Sequence, residues 1–143
     1  MKFLLLSLVS LISLAQAASS PITHTIHDKS LKWGPCPDFF PKGCEISVLQ
    51  GSPETENTDV FFKVPGNYSI PAHTHTSAEH MTLISGKLEV QYKDTSKVIL
   101  KPGSYAYGPA EHAHKAKCKS KDSCVLFISF DEAIDAKPYN GSL

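Results

Sequence analysis

The feature that most constrains the fold is a succession of short apolar runs separated by turn-forming residues. These runs are Glu45–Gln50, Val60–Val64, Met81–Ile84, Lys87–Tyr92, Val98–Leu100, Tyr105–Tyr107 and Val125–Phe130. Glycine, proline or asparagine stands between most of them, and apolar side chains alternate with polar ones in Lys87–Tyr92, as on a half-buried strand. No stretch of residues 18–143 keeps a 3.6-residue apolar period. The pattern predicts an all-β fold, either a barrel or a sandwich.

The first seventeen residues have the three-part pattern of a secretory signal peptide. Met1-Lys2 is a short positive start, Phe3–Leu14 is apolar apart from serines, and Ala15-Gln16-Ala17 has the small-x-small form of a cleavage site. The alternative is a membrane anchor, which needs about twenty apolar residues. We therefore expect residues 1–17 to be removed and the mature protein to be secreted or periplasmic, without membrane contact after cleavage.

Patterning divides the rest of the chain into three parts. We predict an N-terminal arm at residues 18–43, a barrel at residues 44–131 and a C-terminal tail at residues 132–143. This length is usual for a single domain.

An exported chain with an even number of cysteines is expected to form disulfides. Cys36, Cys44, Cys118 and Cys124 allow three connectivities, of which the local pairs Cys36–Cys44 and Cys118–Cys124 are the simplest. The second pair would connect the two strands of a hairpin. A thiolate metal site is the alternative, but the chain lacks the CxxC spacing typical of one.

The charged residues argue against a nucleic-acid partner. The formal net charge is zero, and all 14 basic residues are lysines. Phosphate recognition favours the planar guanidinium of arginine and clustered positive charge. We expect a small-molecule substrate or ligand and no nucleic acid.

The histidines have the spacing of metal ligands. His73 and His75 are two residues apart, so on a strand both imidazoles point to one face. Glu79 follows after a short bend, and His114 lies beyond a further hairpin. Three imidazoles and a carboxylate suit a first-row divalent ion with one or two open positions. The alternative is that the histidines are solvated on a polar loop. The presence of Glu79 and of a histidine further along the chain favours the metal site over this alternative.

Other residues near these positions have different expected roles. His112 is two residues from His114 and therefore shares its face, so it is the alternative fourth ligand. His80 adjoins Glu79 and should point out of the barrel. Tyr105 and Tyr107 are expected mostly to fill the barrel interior.

Two groups of residues resemble the signature motifs of the cupin superfamily. The first group is Gly66, His73-Thr74-His75, Glu79 and Gly86; the second is Pro102-Gly103, Gly108-Pro109-Ala110 and His114. The resemblance implies a double-stranded β-helix (jelly-roll) barrel with a metal inside one mouth, and the family spacing selects His114 over His112. The sequence departs from the family motif at Glu111, where glycine is usual. A left-handed backbone at this glutamate would cost about 1 kcal/mol.

Residues and resemblance together favour an exported, mononuclear metal-dependent oxygenase that acts on a small organic substrate. Its ion is expected to be iron or manganese, with zinc, nickel and copper as alternatives, because imidazole and carboxylate accept all of them. Glu79 would be both a ligand and a catalytic proton acceptor. The alternatives are a non-catalytic module that binds a metal or small ligand, and a lyase- or isomerase-type cupin. The resemblance also allows a homodimer.

Overall fold

The computed structural model describes residues 20–143, which contain eleven strands and no helix. The predicted signal peptide lies outside the described residues. The strands are β1 (Gly34–Pro35), β2 (Glu45–Gln50), β3 (Thr58–Val64), β4 (Ser69–Thr74), β5 (Glu79–Ser85), β6 (Leu88–Tyr92), β7 (Val98–Leu100), β8 (Tyr105–Gly108), β9 (His114–Cys118), β10 (Cys124–Phe130) and β11 (Lys137–Pro138). The predicted all-β fold is confirmed.

The strands form two antiparallel sheets that enclose one core. The six-stranded sheet has the order β1-β2-β3-β10-β5-β8, and the five-stranded sheet has the order β11-β4-β9-β6-β7. A single apolar cluster draws on both sheets, with Val60, Leu83 and Leu126 from the first and Leu88 and Val90 from the second. The sheets therefore pack face to face, and each buries one side of its alternating strands.

Strand β5 carries the period-two pattern most clearly. Glu79, Met81 and Leu83 are buried, while His80 is half-buried on the opposite face. Strand β10 pairs with β5 so that Phe130 lies opposite Glu79 and Ile128 lies opposite Met81. Apolar side chains thus form the layers beneath the single carboxylate at the start of β5.

The expectation that Tyr105 and Tyr107 fill the barrel is wrong. Both lie on edge strand β8 and are exposed, at 61% and 48% of their surface. The reason is that Gly108, on the same strand, faces the Glu79 side chain. The two-residue period then turns Ala106 inward and both tyrosines outward.

Both local disulfides are confirmed. Cys36 pairs with Cys44, and Cys118 pairs with Cys124. The second pair joins the end of β9 to the start of β10, and neither of its cysteines is exposed to solvent. These two strands lie in different sheets and do not pair with each other, so the prediction that this disulfide connects the two strands of a hairpin is wrong. Disulfides are compatible with an oxidising environment. Within residues 20–143, the structure has no helix of the length and hydrophobicity needed to cross a membrane.

Replacing Cys118 and Cys124 together by alanine is expected to lower the free energy of unfolding by about 2 kcal/mol, because the unfolded chain gains the entropy of the opened loop. Urea denaturation under non-reducing conditions measures the change. The Cys36→Ala/Cys44→Ala protein is the comparison, because it opens a loop of similar length and by the same argument should lose a similar free energy. An unchanged unfolding free energy in the Cys118→Ala/Cys124→Ala protein would contradict the stabilising role.

Candidate metal site

Two neighbouring strands of the five-stranded sheet bring the three histidines together. His73 lies near the end of β4, and His75 follows one residue after that strand. His114 begins β9 and is paired in register with His73, after an irregularity that follows Ile70. All three side chains are buried. Their ring nitrogens lie within 4.8 Å of one another, so one ion could bind all three.

Glu79, on the opposite sheet, lies against two of these histidines. Its side chain is only 3% exposed at the start of β5. Oε1 of Glu79 lies 3.0 Å from Nε2 of His114, and Oε2 lies 3.6 Å from Nε2 of His75. The structure therefore gathers His73, His75, Glu79 and His114, the four residues that the sequence predicts as ligands. Their coordination of an ion stays a prediction.

Backbone carbonyl groups orient each imidazole in the same way. Nδ1 of His73 is 2.7 Å from the carbonyl oxygen of Pro71, and Nδ1 of His114 is 3.2 Å from that of His112. Nδ1 of His75 contacts the carbonyl oxygen of Asp135. A carbonyl can only accept, so each Nδ1 carries the proton and donates it. Each Nε2 is then a lone pair free to bind a cation, which is the usual arrangement around metal-binding histidines.

The short contact between His114 and Glu79 supports a cation between them. The two atoms are within hydrogen-bond distance, but they are not aligned for one, and Oε1 of Glu79 has no hydrogen-bond partner. When His114 is neutral and its proton is on Nδ1, its Nε2 and Oε1 of Glu79 are both electron-rich. A buried carboxylate oxygen without a donor is costly. A divalent ion fits this donor set, because it would satisfy the carboxylate and the imidazoles together.

Charges within the cluster favour the ligand forms of His73 and Glu79, whereas they stabilise the protonated form of His114. Burial lowers the pKa of His73 to about 3, and the neighbouring His114 and His75 add to this effect. Burial alone would raise the pKa of Glu79, but the facing imidazoles, His114 first, outweigh it and lower that pKa. For His114, burial lowers the pKa, but the neighbouring Glu79 more than reverses this, so an ion must displace a proton from His114 in order to bind. Neutral His73 and ionised Glu79 are the ligand forms.

The cluster lies at one end of a cavity of about 130 Å³ inside the barrel. Its wall is almost wholly apolar, with Phe62, Met81 and Ile128 among the lining residues. The arrangement can hold a small molecule against the four polar residues and keep water away from the rest of it.

The arm and the tail also contribute to this site. Phe40 lines the cavity and packs edge-on against His73, with ring centroids 5.2 Å apart. Ile134 and Asp135 line it from the C-terminal side, and the Asp135 carbonyl orients His75. Sequence reasoning missed these residues. The aromatic pair Phe39-Phe40 between two cysteines was a usable signal for the first, whereas a backbone carbonyl leaves no signal in the sequence.

The other histidines lie apart from the cluster. Nε2 of His112 is 3.2 Å from the carbonyl oxygen of Lys93, so this ring is directed away from the other imidazoles. His80 is on the outer face, as predicted, where it contacts Tyr105 and Asp131. Glu111 has a left-handed backbone (φ 59°), and its N–H donates to the carbonyl of His75. The turn thus keeps its expected form with glutamate in place of glycine.

Replacing Gly108 by alanine is expected to weaken metal binding about tenfold without removing a ligand. A Cβ atom there would lie 2.8 Å from Oε1 and 2.9 Å from Cγ of Glu79, so the carboxylate must move. A competition titration against a chromophoric chelator measures the affinity. Gly34→Ala is the matched control, because its Cβ would meet its nearest atom at 4.0 Å. Equal affinities in the two variants would show that the position of the carboxylate is unimportant.

Comparisons with known proteins agree with this fold. No curated protein matches the chain. The polyketide cyclase RemF from Streptomyces resistomycificus has a TM-score of 0.67 at 18% identity, over 85% of this chain and 88% of that one. An RmlC-like cupin from Shewanella frigidimarina has a TM-score of 0.61 at 16% identity, over 79% of this chain and 93% of that one. The DMSP lyase DddQ from Ruegeria pomeroyi has a TM-score of 0.64 at 16% identity, over 78% of this chain and 64% of that one.

Likeness at these identities shows the fold alone. The chain also spans only part of some of these proteins, 53% of one DMSP lyase chain and 64% of DddQ. The family described as the ChrR cupin-like domain matches residues 22–133, most of the chain. The protein therefore belongs to the ChrR cupin-like domain family of the cupin superfamily.

Proposed function

We propose that this protein is a mononuclear metal-dependent oxygenase that acts on a small organic substrate. The observation that carries the proposal is the convergence of three buried imidazoles and a buried carboxylate on an apolar cavity. His73, His75, Glu79 and His114 would hold the ion. When bound, an iron or manganese ion would supply the redox chemistry needed to use dioxygen.

The cavity supports oxygen chemistry over acid–base chemistry. A lyase or isomerase needs a protein acid or base within reach of its substrate. Apart from the four proposed ligands, Asp135 is the titratable residue among the described residues that line the cavity. Its carboxylate accepts the N–H of Thr76 at 2.7 Å and pairs with Lys137 at 3.3 Å. This leaves Glu79 as the proton acceptor, and an oxygenase depends less on such a group.

The protein's own residues have three tasks in this reaction. The carbonyl groups of Pro71, Asp135 and His112 keep the imidazoles in the ligating tautomer. The apolar wall excludes water from the substrate. Glu79 balances the charge of the ion and would accept a proton through the carboxylate oxygen that the ion leaves free.

We further propose that the protein works outside the cytoplasm, in a secreted or periplasmic form. The two disulfides support this location.

The test uses protein isolated after export, with metal content and oxygen uptake measured on one sample. The expected result is about one equivalent of iron or manganese and oxygen uptake with a substrate from a panel of diketones, phenolics and small acids. Removal of the metal by a chelator should abolish the uptake, and restoring the ion should recover it. One equivalent of zinc without turnover of any kind would instead favour a binding module. Turnover without oxygen uptake would favour a lyase or isomerase.

A further inference from the structure

We propose that the cavity selects substrates with one oxygen-donor head group and an unsubstituted apolar body about the size of a six-membered ring. This inference rests on the proposed metal site and names the substrate class for it. It is carried by the sharp division of the cavity into a polar end and an apolar remainder.

The layer directly beneath the proposed ligands is wholly apolar. On β5, Met81 lies two residues beyond Glu79. It pairs with Ile128 of β10, just as Glu79 pairs with Phe130. On β9, Ala116 lies two residues beyond His114. Its partner on β6 is Val90, and its partner on β4 is Ile70. All five line the cavity.

A second polar group on the substrate would have no partner in this layer. Beyond the four proposed ligands and Asp135, the described lining residues carry no hydroxyl, amide or amine in their side chains. Asp135 is engaged with Thr76 and Lys137. A buried polar group without a partner is disfavoured, and a buried charge more so. The body of the substrate should therefore be hydrocarbon.

The volume of the cavity and the charge of the metal site limit the size and the charge of the substrate. A cavity of about 150 Å³ holds benzene, and this one has about 130 Å³. Two residues of strand span about 7 Å, which matches one ring below its head group. Three neutral imidazoles, one carboxylate and a divalent ion leave one positive charge, so a single anionic head balances the site.

The test compares ligands on protein loaded with zinc, which cannot turn the substrate over by redox chemistry. Isothermal titration calorimetry measures the affinity for three ligands. Benzoate has one carboxylate head group and an apolar ring, acetate has the head group without the ring, and terephthalate has the ring with a second carboxylate. Benzoate is expected to bind at least tenfold more tightly than either of the others. Equal affinities for benzoate and acetate, or for benzoate and terephthalate, would overturn the inference.

A variant locates the body of the ligand. Ala116→Leu fills the layer beneath the ligands and is expected to remove the preference for benzoate over acetate, with zinc still bound at one equivalent. Lys117→Leu introduces the same side chain one residue along β9, on the exposed face, and should leave the preference intact. A preference that survives in Ala116→Leu would place the body elsewhere and overturn the inference, and the wild-type ligand series decides the matter if this variant does not fold.

Failure of the metal site is distinguishable from failure of this inference. Protein that takes up no zinc contradicts the proposed function. The cavity is then tested with toluene, a body without a head, on metal-free protein. Toluene binding that Ala116→Leu abolishes would support the apolar selection, and absence of toluene binding to the wild type would overturn it.

Discussion

Replacing Glu79 by alanine is expected to weaken binding of a first-row divalent ion by roughly a hundredfold or more, while the barrel stays folded. The carboxylate is the only anion among the four proposed ligands, and it is buried against Nε2 of His114 and His75. Its removal leaves the positive charge of an ion unbalanced in an apolar interior, where an unbalanced charge is strongly disfavoured.

Two further variants separate charge from shape at this position. Glu79→Gln keeps the size of the side chain but not its charge, so it should lose most of the affinity as well. Glu89→Ala is the control, because Glu89 lies on β6 and pairs with Lys97 on the surface, away from the cluster. Metal content by mass spectrometry and circular dichroism are measured for all three. Full occupancy in a folded Glu79→Ala protein would show that the carboxylate is not a ligand.

The strands with an apolar run between turn residues could be predicted from the sequence. The runs that became β2, β5, β6 and β10 are apolar, and Gly86 stands in the turn that takes the chain from β5 in one sheet to β6 in the other. Strands β4 and β9 could not be recognised in this way. Their sequences, SIPAHT and HKAKC, are polar for strands. Their inward side chains include the buried His73 and His114, so the usual alternation of apolar and polar residues is missing from both strands.

The cluster could be predicted because its residues repeat at strand spacing and resemble a known motif. Its surroundings could not. The carbonyl group of Asp135 orients His75 across 60 residues of chain, and such a contact depends on where the tail crosses the mouth. The packing of Phe40 on His73 likewise depends on the path of the arm. Backbone contacts between distant segments leave no periodicity in the sequence.

Replacing His114 by alanine is expected to weaken metal binding roughly a hundredfold, whereas replacing His112 should change it little. The two residues are close in sequence and differ in orientation. His114 is 5% exposed and directs Nε2 at Glu79, 3.0 Å away. His112 is half-buried and directs Nε2 at the carbonyl oxygen of Lys93 instead.

This pair of variants is a matched test of the fourth ligand, because both remove one imidazole from the same turn. Affinity for zinc by competition titration is the first measurement. The second is the absorption spectrum of the cobalt-loaded protein, which reports the number and type of ligands and is independent of any catalytic activity. Loss of affinity in His112→Ala but not in His114→Ala would reverse the assignment. Loss in both would mean that the turn itself, with its left-handed Glu111, has to be intact for His114 to reach the ion.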